Sequence, residues 1–225
     1  VFRRTKQRVP RAAGAAASAL LLVACGAGQP TGADDRKPCV VATTGETPEP
    51  FQGPIYDYDP RRSPDELAQL SQLVVSGTIS AVREGRTMVY PANAPGIEGP
   101  TTIVLVITDV TAVSGQQQAG NDGSVYLELQ GAKLPDPVNY SRALPAGARV
   151  AAYLVPAGEG TPDERTDVAI ANPAAGRPAG QALYLPAGPQ GLAIQAQGNV
   201  VWPLIGAQAP GCIEDALPGG HLIGQ

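Results

Sequence analysis

Residues 73–82 read LVVSGTISAV, and residues 101–113 read TTIVLVITDVTAV. In the first stretch Leu73, Val75, Gly77, Ile79 and Ala81 fall on one side of an extended chain. Ser76, Thr78 and Ser80 fall on the other. A period of two in β-branched and small residues predicts a half-buried strand. The second stretch is apolar on both sides, which predicts a central strand. These two segments set the chain as mainly β, and the neighbouring sequence extends that reading.

Just upstream, SPDELAQLSQL (63–73) offers Ser63 as a cap, Pro64 at the first helical position and Glu66 three residues after the cap. This capping-box pattern, with Leu67, Leu70 and Leu73 or Val74 at helical spacing, predicts a short amphipathic helix. Downstream, SVYLELQ (124–130) alternates, with Val125, Leu127 and Leu129 inward, after a turn at Asn121-Asp122-Gly123. ARVAAYLVP (148–156), LYL (183–185), GLAIQA (191–196) and NVVWPL (199–204) read as further strands. The last two flank Gln197-Gly198-Asn199, a hairpin signal. Pro91–Pro100 and residues 157–181 read as long loops. The expected domain is mainly β, a small antiparallel barrel or sandwich preceded by one short helix.

Composition agrees with a turn-rich chain. Gly 27 and Pro 23 stand among 225 residues, and aromatics are only 4%, so the core rests on Val, Leu, Ile and Ala. Charge is divided unevenly. Residues 1–24 hold five basic residues and no acidic ones, whereas the remainder holds 11 basic against 20 acidic, a formal −9. A body this acidic repels phosphate backbones, which argues against nucleic acid as a partner.

The N-terminus carries an address. Residues 2–11 (FRRTKQRVPR) are basic and residues 12–24 (AAGAAASALLLVA) are apolar and uncharged. Thirteen apolar residues fall short of the roughly 20 needed to span a bilayer as a helix. A basic region followed by a short apolar one is the pattern of a secretory signal peptide. Leu22-Val23-Ala24-Cys25 resembles the lipobox of bacterial lipoproteins. The resemblance implies a diacylglyceryl group on the Cys25 thiol, cleavage before Cys25, and a mature protein anchored to the outer face of a membrane by its acyl chains, palmitate among them. The alternative is a buried helix with a core cysteine. The implied organisation is a signal peptide over 1–24, a lipidated N-terminus and flexible tether over 25–62, and a β-rich domain over 63–225.

Residues 67–156 also resemble small secreted OB-like barrels, including the netrin-type and TIMP-like group. The order that carries this is a helix, LVVSGTISAV, a long TTIVLVITDV strand, a Gly-initiated strand and PAGARVAAYLVP. The Cys-x-Cys inhibitory start of TIMP-like proteins is absent, so no inhibitory function is carried over. With Cys25 acylated, Cys39 and Cys212 remain. In an exported chain such a pair oxidises, and a Cys39–Cys212 bridge is expected; two unpaired thiols are the alternative. So long a loop would contribute about 4–5 kcal/mol through chain entropy.

No motif for chemistry emerges. The chain has one histidine, His221, beside two glycines near the end, so a His-based triad would have to use it. Zinc lacks a Cys-x-x-Cys pair. Asp57, Asp59, Asp65 and Glu66, or Asn121 and Asp122, offer oxygens for calcium but read better as caps and turns. Trp202 lies in a predicted strand and reads as core. The expectation is a non-enzymatic surface lipoprotein without a cofactor, a β-rich module for an envelope protein or a small ligand. The alternatives are a carrier of a small apolar molecule or lipid, and a hydrolase whose site is unrecognised, with His221 and Ser76 the residues to test.

Overall fold

The computed structural model describes residues 57–90, 100–116, 122–129, 137–158 and 168–225. Helix α1 (Pro64–Gln69) leads into β1 (Leu73–Val89), β2 (Thr101–Gly115) and β3 (Val125–Leu129). Helix α2 (Pro137–Ala143) precedes β4 (Arg149–Pro156) and the two-residue β5 (Ala169–Ile170). The chain ends with β6 (Leu183–Pro186), β7 (Leu192–Ala196), β8 (Asn199–Trp202), β9 (Ala207–Pro210) and a 3-10 turn at Ile213–Ala216.

The protein is mainly β, as the sequence predicts, but the expectation of a purely antiparallel sheet is corrected. Strand β3 pairs with β6 in parallel, Tyr126 opposite Leu183, so the sheet is mixed. The β4–β6 connection is long, and it brings β6 back beside β3 in the same direction, which no tight hairpin could do. The expectation of a single helix is corrected too. Helix α2 sits between β3 and β4, and its Tyr140 and following Leu144 enter the main core. The sequence reading passed over it because only two core residues mark it and a proline opens it.

Pairing runs from β1 to β2, from β2 to β3, from β3 to β6, from β6 to β4, and from β4 back to β1. Strand β4 also pairs with β7, which continues through β8 to β9. The largest apolar cluster draws on every strand of that circuit: Leu73 and Ile79, Leu105, Leu127, Ala152 and Tyr184. In β2, Ile103–Ile107 are all buried, so the central position inferred from its two apolar faces holds.

Strand β1 bends. Its register with β2 shifts four times, one shift lying between Ile79 and Ala81. A bulge reverses which side the following residues face. Accordingly Ala81 packs on the outer cluster with Val104 and Val106, while Val82 joins the main core. Strict alternation therefore holds for Leu73, Val75 and Ile79 and fails at Ala81. Gly77 lets β2 approach at this bend. A Cβ there would lie 2.6 Å from Ile107 Cγ2 and 2.8 Å from the Thr108 carbonyl oxygen.

The β7–β8 hairpin forms where the sequence places it. Gln197 and Gly198 both have positive φ, 41° and 80°, the primed turn that matches strand twist. The outward face of β4, β7 and β8 is covered by the C-terminal segment. Trp202, 2% exposed, packs with Ile213 and Ala216, confirming its core reading. Gly224 completes this cover, since a Cβ there would meet Trp202 Cγ at 2.6 Å.

Candidate functional site

Two features stand out, a cavity at one end of α1 and a buried charge cluster on β1, β2 and β3. The cavity begins with a clamp. Gln190, buried in the β6–β7 turn, accepts a hydrogen bond from the Arg61 amide at 2.7 Å and donates to the Arg61 carbonyl at 3.1 Å. The same side-chain nitrogen donates to the Gly224 carbonyl at 2.5 Å. One buried amide thus holds the chain entering the domain and the chain leaving it. This docks residues at the end of the expected tether against the domain.

Beside the clamp lies a cavity of about 310 Å³. Helix α1 supplies Leu67 and its C-cap Leu70, β4 supplies Val155, and the end of β6 and the turn after it supply Pro186 and Pro189. Its polar side is Tyr58, Asp59 and Arg61. The helix that carries Leu67 and Leu70 starts at Ser63, whose hydroxyl accepts from the Glu66 amide at 3.2 Å. The reciprocal bond of the expected capping box lands one residue earlier, from the Arg62 amide to Glu66 at 2.9 Å. The stripe expected from Leu67, Leu70 and Leu73 is broken at Leu70, which is 48% exposed at the cavity rather than buried. Burial pushes the Tyr58 hydroxyl above the ordinary tyrosine range.

The charge cluster sits on the outward face of the strands. Arg86 on β1 and Glu128 on β3 form a two-pronged ion pair at 2.8 and 2.5 Å. Thr102 on β2 donates to Glu128 at 2.7 Å and accepts the Arg86 amide at 2.8 Å. A further Arg86 nitrogen donates to the Gly158 carbonyl at 3.2 Å. All three side chains are essentially excluded from solvent. Every Arg86 side-chain nitrogen and both Glu128 oxygens are hydrogen-bonded, so the pair braces three strands. Gly85 makes room for it, since a Cβ there would overlap the Thr102 hydroxyl.

The residues singled out from sequence do not converge. Cys25 and Cys39 lie outside the described residues. Cys212 enters the 3-10 turn half-buried, its amide donating to Asp215 at 3.1 Å. His221 is 66% exposed, 3.9 Å from Asp215. Ser76 is half-buried within β1, paired on both sides. Asp65 accepts the Gly219 amide at 3.1 Å and Glu66 caps α1, while Asp57 and Asp59 are exposed; Asn121 lies outside the described residues. Among the described residues, no three His, Cys, Asp or Glu side chains come together as a metal cluster.

The sequence reading missed Arg86, Thr102, Glu128 and Gln190. Glu128 alternates with Leu127 and Leu129, which puts it on the opposite side of the strand; nothing local signals that this outward face is itself covered. Comparison with protein-family models, curated proteins and solved structures finds no match.

Proposed function

We propose that the protein is a membrane-anchored extracytoplasmic lipoprotein that presents a non-catalytic β-rich binding module. The observation that carries it is the order of residues 2–25: a basic stretch, a short apolar stretch and Leu22-Val23-Ala24-Cys25. Two acyl chains at Cys25 hold a protein stably on a bilayer, whereas one is marginal. Among the described residues no helix is long and apolar enough to cross a membrane. The domain is read as an OB-like barrel, with support from the circuit of pairings that returns to β1 and from a helix between β3 and β4. Cys39 is the proposed partner of Cys212, which would tie the tether to the C-terminal segment.

Labelling cells with a clickable fatty acid tests the anchor. Labelled wild type and unlabelled Cys25→Ala are expected, and equal labelling of both overturns the anchor. Crosslinking of the anchored protein in intact cells tests the binding module; recovery of no specific partner or ligand overturns it. The carrier reading has one observation in its favour, the cavity beside Gln190.

A further inference from the structure

The cavity next to the Gln190 clamp combines three properties. It has an apolar wall, at which Leu70 is 48% exposed. It has a cationic residue whose backbone is fixed: Arg61 is bound through both its amide and its carbonyl to a side chain that is itself 2% exposed. That cation is half-buried, and among the described residues it has no ion pair, the paired bases being Arg86, Arg149 and His221. With the backbone at Arg61 held, only the side chain has freedom to lose when it meets an anion, and the apolar wall beside it strengthens the attraction.

We infer that this cavity is a binding site for a small carboxylate-headed amphiphile, its chain against Leu70, Val155, Pro186 and Pro189 and its carboxylate on Arg61. The inference rests on the reading of the domain as a binding module and gives that module a ligand class. The volume sets the scale of the ligand. At about 30 Å³ per heavy atom in a liquid, the cavity holds roughly ten heavy atoms, the size of octanoate. Asp59 shares the lining but is exposed, so its charge is screened more than that of Arg61. The hydroxyl of Tyr58 supplies a neutral donor for the same head group.

Isothermal titration of the full chain with octanoate, octylamine and acetate tests this. Octanoate is expected to bind saturably, with octylamine and acetate at least about tenfold weaker. Arg61→Gln leaves the clamped backbone in place and is expected to weaken octanoate about tenfold, the worth of one charge-assisted hydrogen bond. Asp59→Asn is expected to tighten it about twofold. Leu70→Asp, at a position already half in water, is expected to abolish saturable binding without unfolding the chain, which circular dichroism checks. Equal binding of octanoate and octylamine, indifference to both Arg61→Gln and Leu70→Asp, or no octanoate binding overturns the assignment. Such a failure is separate from failure of the binding module, which the cellular crosslinking judges without reference to this cavity.

Discussion

Arg86 on β1 and Glu128 on β3 meet across the intervening strand β2, and Thr102 of β2 bonds to both. Three strands are thereby fixed in one register by side chains, independently of their ladders. A buried pair of this kind gains little net stability over apolar residues, but removing one partner strands the other charge. Glu128→Gln or Arg86→Met is expected to cost about 3–5 kcal/mol in urea unfolding. The double variant Arg86→Met with Glu128→Leu is expected to recover most of that loss. Equal damage from the double and the single variants would show that packing rather than charge is at stake. Arg149–Glu214 provides the contrast: its side chains are 47% and 57% exposed, and Glu214→Gln is expected to cost no more than about 1 kcal/mol.

The bend of β1 depends on Gly77. A methyl group at that position would press on Ile107 and on the Thr108 carbonyl, both parts of β2. The backbone oxygen cannot move aside as a flexible side chain would. Gly77→Ala is therefore expected to destabilise the fold by about 1–3 kcal/mol, measured by thermal unfolding. A neutral result would mean that the two strands separate there at no cost.

The Gln190 clamp predicts linked ends. Gln190→Leu removes the partners of two Arg61 backbone groups and of the Gly224 carbonyl. Leaving buried backbone groups unsatisfied costs about 1–3 kcal/mol each, less where water can enter, so a loss of about 2–3 kcal/mol is expected. Hydrogen exchange should rise together over 57–62 and 222–225 while β2 stays protected. Faster exchange at one end alone would refute a shared clamp.

How much of this was legible in the sequence follows from the range of each interaction. The alternation in β1, the two apolar faces of β2, the Ser63 cap and the Gln197-Gly198 turn are local, and each formed close to where the residues place it. The parallel partner of β3 is not local, because Tyr126 and Leu183 are brought together by the whole circuit. The charge cluster needs three strands and the chain at Gly158, so Glu128 looks from its neighbours like any surface residue. The cavity needs α1, β4 and the β6–β7 turn to converge, and the exposure of Leu70 follows from that convergence rather than from the helical stripe. The cavity and the charge cluster are thus the features that no single element carries.

Asp122 and Tyr126 predict a local pH response. The Tyr126 hydroxyl donates to Asp122 at 2.6 Å, and the Ser124 amide donates to its other oxygen at 3.0 Å. Both bonds favour the carboxylate, with the tyrosine first, and hold the Asp122 pKa below the ordinary range. Burial, then the bond to Asp122, pushes the Tyr126 hydroxyl up. A carboxyl depressed in the folded state contributes stability above its unfolded pKa and loses that contribution as pH falls through the folded value. The Asp122 contribution is therefore present at neutral pH and is lost in acid, as pH falls from the ordinary aspartate range through the lower folded value. Tyr126→Phe should raise the Asp122 pKa toward the ordinary value and shrink that contribution. Carboxyl titration by NMR measures this directly. An unmoved Asp122 in Tyr126→Phe would assign the whole depression to the Ser124 amide, in which case restraining the turn, not the hydroxyl, sets the acid response.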